Sequence, residues 1–222
     1  MDPIESIEDF KACLTRAEAF RASHKRPFIT VSYAQSVDGS IASRNRLPIQ
    51  LSGPESAVLT HQIRATSDAI LIGIGTLLAD DPRLSVRLAE GSNPQPIILD
   101  THLRTPPSAR LVKQSDLSPC IINAEDNRSN RIEALKNAGA TPLPCATGRD
   151  GKIDLHALMA MLAKMQVSSI MVEGGAKVIT SFVHSGLIDQ FIITVSPRLV
   201  GGLPVIDSNG LNLNTDLTLG HV

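Results

Sequence analysis

The run Ala69-Ile70-Leu71-Ile72-Gly73-Ile74-Gly75-Thr76 decides the fold. No polar residue alternates through its apolar part, Ala69–Ile74, so it reads as a strand covered on both faces, the pattern of a parallel sheet. Gly73 and Gly75 then join that strand to a helix. Ser169–Val172 repeats the arrangement: a short apolar run, the turn Glu173-Gly174-Gly175, and an amphipathic helix over 176–185 that ends at Gly186. Parallel strands cannot be joined by a tight hairpin, so repeated strand–turn–helix units are what a parallel sheet requires.

Outward from these two joints, Phe28–Tyr33 is a β-branched and aromatic strand running to an Asp38-Gly39 turn, after which Ser40-Ile41-Ala42 resumes as extended chain. Pro96–Leu99, Cys120–Ile122 and Phe191–Val195 are further strand candidates. Helical spacing predicts helices over 128–138, ending at Gly139, and over 154–166, where Leu155, Leu158, Met159, Leu162 and Met165 share a face. Ser52-Gly53-Pro54-Glu55 reads as a capping box, with Ser52 as the cap of a helix carrying Val58, Leu59, Ile63 and Arg64. Ile7, Phe10, Leu14, Ala17 and Phe20 predict a helix over 5–24, so residues 1–26 are expected to form a helical extension of a single domain spanning 1–222. The stretch from Gly201 onward is polar and turn-rich. The fold class expected is α/β, a mainly parallel mixed sheet flanked by helices.

Composition narrows the function. At 222 residues with 42% hydrophobic residues, the chain is long enough for one well-buried core. Lys plus Arg number 21 against 22 Asp plus Glu, a net charge of −1 without a basic block, which argues against a nucleic-acid partner held by phosphate contacts. Five Phe, one Tyr and no Trp leave no platform for stacking bases. Cys13, Cys120 and Cys145 are odd in number and widely spaced, as reduced thiols are; the start lacks a signal-peptide pattern and no apolar run reaches the ~18 residues of a membrane span. A cytoplasmic protein without a membrane partner is expected.

The two glycine joints matter chemically because a helix start offers free N–H groups and a positive dipole to a phosphate. At Gly73 and Gly75 the match to a dinucleotide fingerprint is incomplete, since Leu78 stands at the third glycine position. At Gly174-Gly175 the carboxylate of Glu173 would repel a pyrophosphate at short range, so it should face substrate instead, or else it simply complements the dipole of the helix start. Asp38 opens an Asp-Gly turn that holds it over a pocket or simply closes the turn. Read with period two, Arg83, Ser85 and Arg87 share one face of the stretch 80–87, where two guanidiniums could meet one phosphate, although a half-exposed edge strand shows the same alternation without a ligand and is slightly favoured on spacing alone. The six His residues show no metal-ligand spacing and no nucleophile elbow occurs.

Taken in order, Ser36–Ala42, Arg64 with Ser67–Pro82, Gln95-Pro96 leading to Leu99-Asp100, Glu173-Gly174-Gly175, Leu187-Ile188-Asp189, Ser196-Pro197 and Gly201-Gly202 resemble one family. It is the pyrimidine reductases of riboflavin biosynthesis, which occur alone and as the reductase half of a bifunctional deaminase/reductase. The resemblance implies a dihydrofolate-reductase-like fold, a homodimer, and NADPH-dependent reduction of a ribosylamino-pyrimidine 5′-phosphate to its ribitylamino form, by hydride transfer to ribose C1′ of the ring-opened imine. It implies that Thr76, Asp80, Thr101 and Gly175 through Ser181 contact NADPH. Gly73, Gly75, Gly174, Ala176, Lys177, Val178 and Ile179 belong to that cradle, and Arg64, Leu84, Arg87 and Glu173 contact substrate. Glu173 is the first candidate to polarise or protonate the opened sugar, with Asp38 and Asp80 next. Asp100 ends a strand where a Rossmann protein would favour NAD over NADP, a rule that belongs to a different fold.

Three features depart from the family. Pro119-Cys120 and Pro144-Cys145 lack the second Cys of the zinc deaminase pattern, which excludes deamination by these residues. Arg44–Gln50 matches poorly, leaving open whether the substrate is the aminated or the deaminated pyrimidine. The chain stops at Val222, where relatives add a closing strand, so a shortened chain or an altered sheet edge is expected. Two other readings stand beside the first: a reductase of another heteroaromatic or carbonyl substrate, and a non-catalytic NADPH-binding subunit.

Overall fold

The computed structural model describes residues 16–45, 47–114, 116–125 and 129–206. Cys13, residues 5–15 of the expected first helix and everything from Asp207 to Val222 lie outside the described residues.

Seven strands form one parallel sheet: β1 (Phe28–Ser36), β3 (Ala69–Gly73), β4 (Gln95–Leu99), β5 (Cys120–Ala124), β6 (Thr141–Cys145), β7 (Ser169–Val172) and β8 (Gln190–Ser196). Their order across the sheet is β6-β5-β4-β3-β7-β1-β8. Antiparallel pairing is confined to a separate two-stranded ribbon of β2 (Ser40–Ala42) and β9 (Leu203–Pro204). The helices are α1 (Ala17–His24), α2 (Pro54–Thr66), α3 (Ile74–Asp80), α4 (Arg110–Gln114), α5 (Ser129–Ala138), α6 (Leu155–Lys164) and α7 (Ala176–Ser185).

Helices cover both faces. On one, Leu155, Leu158 and Leu162 of α6 and Ile179 and Phe182 of α7 pack against Ile29, Val31, Leu71, Ile97 and Val172. On the other, Ile74 and Leu77 of α3, Leu111 of α4 and Leu135 of α5 meet Ile70, Ile72, Ile98 and Ile121, while Ile63 of α2 packs on Met171. Burial on both sides is the reason these strands read as unbroken apolar runs. Helix ends follow the glycine signals: Gly186 is the left-handed C-cap of α7 and Gly139 has a positive φ just after α5. Lys25 supplies the left-handed cap of α1 without being glycine.

Several local expectations change. Ser52 does not cap α2; Gly53 is the N-cap, without a side-chain hydrogen bond, and Pro54 takes the first turn. Residues 81–87 form a loop and not an edge strand, because Asp81 and Leu84 adopt left-handed backbone conformations that break a pleat. Strand β6 is absent from the expected elements, since Pro142 and Pro144 argue against a strand; it forms at the sheet margin, where missing N–H donors are tolerated. Edge strand β8 is only half covered.

Candidate functional site

In the sheet order, the chain moves from β3 outward through β4, β5 and β6, and β7 returns on the opposite side of β3. The boundary between β3 and β7 is therefore the switch point of the topology, where the loops leaving adjacent parallel strands part and open a crevice at their carboxyl ends. Leu71 stands opposite Val172 there, so α3 and α7 begin beside one another. Neither helix start is capped by a side chain, and both N-cap residues, Gly73 and Gly175, are extended glycines. The joint between them is tight. Thr76 Oγ1 accepts the Gly175 N–H at 3.1 Å, while a Cβ on Gly73 would lie 2.5 Å from Val178 Cγ2 and one on Gly174 would lie 2.6 Å from Val178 Cβ. A Cβ on Gly75, in contrast, would meet nothing within 4 Å. Close packing against Val178 thus requires glycine at Gly73 and Gly174, whereas Gly75 leaves open space beside the start of α3.

Beside this cradle stands a charged pair. Glu173, directly after β7, receives Arg64 Nε on Oε1 and Nη2 on Oε2, both at 2.7 Å. The two side chains are only 11% and 17% exposed. Arg64 also donates to the Ser85 carbonyl at 3.2 Å, tying the loop 81–87 to the same corner. Arg87 folds back on Ser85, donating from Nη1 to its carbonyl (3.2 Å) and its hydroxyl (2.8 Å). Crowding by neighbouring atoms, then the charges of Arg64 and Arg83, lower the Arg87 pKa from its usual value.

One contact was not anticipated. His61, buried on α2 one turn before Arg64, accepts the Arg87 backbone N–H on Nδ1 at 2.9 Å. Its pKa is lowered by burial, with further contributions from Arg64 and Arg87, against the opposing effect of Glu173. The only sequence signal was its three-residue spacing from Arg64 on one helix face.

The remaining candidate residues divide by what they touch. Asp80 lies one helical turn after Thr76 and shares its face of α3. Its side chain makes no hydrogen bond to a described residue, and loss of part of its water shell raises its pKa. Asp38 is fully engaged: Oδ1 accepts from the Ser36 hydroxyl and Val200 N–H, and Oδ2 from the Ser40 hydroxyl and Gly201 N–H. These bonds, led by that from Ser36, hold its carboxyl well below the usual carboxylate range. Asp38 is thus a clasp between the β1–β2 turn and residues 200–201, which removes the reason for expecting it to supply a proton. Leu84 and Ile179 are core residues, buried in the clusters on opposite faces of the sheet, so any ligand contact at these positions falls to their backbone. Lys177 is exposed at the start of α7.

Thr101 follows β4, and its carbonyl accepts the Ala124 N–H at 3.1 Å. The preceding Asp100 is fully buried; its Oδ2 takes the Thr105 N–H at 2.6 Å and hydroxyl at 2.7 Å. Asp100 thereby staples the loop it begins. Among the described residues no cluster of His, Cys, Asp and Glu has metal-binding geometry, and no helix is long and apolar enough to cross a membrane.

The comparisons with known proteins fit this geometry. Residues 27–222 match the model of the RibD C-terminal domain. The chain is 37% identical over 195 residues to the 2,5-diamino-6-ribosylamino-4(3H)-pyrimidinone 5′-phosphate reductase of Debaryomyces hansenii, covering 82% of this chain and 79% of that one. It is 32% identical over 178 residues to the riboflavin biosynthesis protein RibD of Actinobacillus pleuropneumoniae, covering 80% of this chain but only 47% of the relative, so it spans about half of that longer protein. Among solved structures, the riboflavin biosynthesis reductase Rib7 of Saccharomyces cerevisiae superposes with a TM-score of 0.65 at 25% identity, over 86% of this chain and 87% of that one. From the switch-point cradle, the paired Arg64 and Glu173 and these likenesses together, the chain belongs to the RibD C-terminal domain family.

Proposed function

We propose that the chain is an NADPH-dependent reductase that converts the ribosyl group of a 2,5-diamino-6-ribosylamino-pyrimidinone 5′-phosphate to a ribityl group. The observation that carries this reading is the meeting of two uncapped helix starts with the Arg64–Glu173 pair and the Arg87 loop at one switch point. The aminated pyrimidine is favoured because the Debaryomyces relative that bears that substrate's name is matched over 79% of its length, whereas RibD is matched over 47%.

The cradle fits a nicotinamide dinucleotide. Open space at Gly75 and the close joint of Gly73, Gly174 and Gly175 leave room for a pyrophosphate against the backbone, and the N–H groups of Ala176 and Lys177 at the start of α7 would meet it. Thr76, Asp80, Thr101 and the turn of α7 through Ser181 would hold the cofactor, which supplies the hydride when bound. Arg87 would receive the 5′-phosphate, since a guanidinium matches phosphate oxygens with paired donors.

The carboxylates then separate by role. Both oxygens of Glu173 already accept from Arg64, which orients the side chain to accept hydrogen bonds from the opened sugar. Asp80, with a raised pKa and a free carboxyl beside Thr76, is the better proton donor of the three. A homodimer would form along β8, an edge strand on which Ile193 is 39% and Val195 56% exposed. Buried free Cys120 and Cys145 suit a reducing cytoplasm.

Purified protein mixed with NADPH and, separately, the aminated or the deaminated ribosylamino-pyrimidine phosphate tests this reading by loss of NADPH absorbance and by product mass. Turnover of the aminated compound with a gain of two hydrogens is expected, and Asp80→Asn should slow it with little change in substrate KM. NADPH binding without turnover of either pyrimidine would overturn the reading in favour of a binding-only subunit.

A further inference from the structure

Helix α2 faces the proposed substrate corner with two side chains one turn apart. Arg64 is committed to Glu173 and the Ser85 carbonyl, while His61 is committed to the main chain of Arg87. The loop between α3 and β4 lacks regular structure over residues 81–87, and Leu84 within it is held at φ 55°. Its shape therefore depends on tertiary contacts. Along 85–87 the main-chain contacts are Ser85 O from Arg64 and from Arg87 Nη1, Val86 N–H to Asn93 Oδ1 at 2.7 Å, and Arg87 N–H to His61 Nδ1, so helix α2 supplies two of the four.

A backbone N–H can only donate, so His61 Nδ1 must be unprotonated and its ring proton must sit on Nε2. That contact fixes the point from which the Arg87 guanidinium projects. We propose that His61 is a positioning residue that holds the Arg87 backbone through an unprotonated Nδ1 and so aims that guanidinium at the substrate phosphate. The proposal rests on the reading of Arg87 as the phosphate ligand.

The position also makes the loop sensitive to pH. A doubly protonated imidazole has no acceptor, so the contact fails once His61 takes a second proton. The charged groups that face His61 are Arg64 on its own helix, Arg87 on the loop, and Glu173 at the end of β7; from β8 the helix meets the apolar Ile192. Burial and the two arginines outweigh Glu173 and keep His61 neutral to lower pH than an exposed histidine.

The test is direct titration with ribose 5-phosphate, followed by calorimetry, in the full-length protein without NADPH. His61→Phe, which keeps a ring but removes the acceptor, should weaken binding roughly tenfold. His61→Asn, whose Oδ1 takes the place of Nδ1, should restore it to within about twofold of the native protein. In an Arg87→Ala background His61→Phe should cost nothing further, since the group it positions is gone. As pH falls below the range in which an exposed histidine titrates, the native protein should lose more affinity than His61→Asn, a comparison that cancels the titration of the ligand's own phosphate. Labelling with nitrogen-15 histidine offers a readout that needs no variant: the His61 resonances should report an unprotonated Nδ1 at neutral pH.

A proton on Nδ1, an undiminished affinity in His61→Phe, equal losses in the native and Arg87→Ala backgrounds, or failure of the native protein to bind ribose 5-phosphate would each overturn the proposal. Failure of the reductase reading would appear separately, as absence of NADPH oxidation by a native protein that still binds ribose 5-phosphate in a His61-dependent way.

Discussion

Replacing Arg64 by Met keeps the length and apolar stem of the side chain while leaving Glu173 without its partner. Removing one member of a fully buried ion pair costs ~3–5 kcal/mol, because the other charge stays desolvated. With side chains 11% and 17% exposed, water reaches the edge of this pair and the cost falls to about 2–3 kcal/mol. Glu173→Gln, which keeps the shape but weakens two charge-assisted hydrogen bonds, should cost about 1.5–2 kcal/mol. The double variant leaves neither charge buried, so it should be no less stable than Arg64→Met alone. The resulting coupling is about 1.5–2 kcal/mol.

Urea unfolding followed by circular dichroism measures all four corners of this cycle. As a second probe, Arg64→Met should lower Tm by roughly 4–12 °C, at the ~2–4 °C per kcal/mol usual for domains of this size. Costs in the double variant that add to within about 0.5 kcal/mol would show that Arg64 and Glu173 do not stabilise each other, and the account of the corner would fail.

The clasp at Asp38 predicts a pH dependence. Its folded pKa lies below the unfolded value, so its stabilisation is complete above about pH 4 and is lost as pH falls through the folded pKa. Asp38→Asn should therefore unfold at lower urea than the native protein near neutrality, and the difference should shrink in acid; a gap that widens below pH ~4 would contradict the clasp. Gly174→Ala drives a methyl group into both Cβ and Cγ1 of Val178 and should destabilise by about 1–3 kcal/mol, and Val178→Ala, which keeps that Cβ, should restore only part of the loss; an unaltered melting temperature in Gly174→Ala would mean the joint is looser than its geometry. Thr76→Val removes the acceptor for the Gly175 N–H, so about 1 kcal/mol of stability and several-fold in NADPH affinity should be lost, measured by thermal melting and fluorescence titration.

Much of the fold was legible because its elements are written locally. Ser169–Val172 as a strand and 176–185 as a helix agree with the structure residue for residue, since double-sided burial and an apolar helix face each leave a mark within a few positions. The clustering of Arg64, the 81–87 loop and Glu173 was suggested by family resemblance, but not by any spacing. Where local marks mislead, the structure shows why. The alternation of Arg83, Ser85 and Arg87 mimics a strand, yet Leu84 is left-handed because the loop must turn its side chain into the core while presenting Arg87 near α2. Pro142 and Pro144 deny a central strand but permit one at a margin, and only the order of the whole sheet says which position β6 takes.

The sequence by itself determined the class of fold, the two glycine joints and the residue types available to the site. Tertiary structure alone decided how those types are spent. Glu173 meets Arg64 across 109 residues and Asp38 reaches Gly201 across 163. A carboxylate looks the same in sequence whether it closes a loop, pairs with a guanidinium or stands free beside a helix; the donors that fold against it make the difference, and those are chosen by the packing of distant segments.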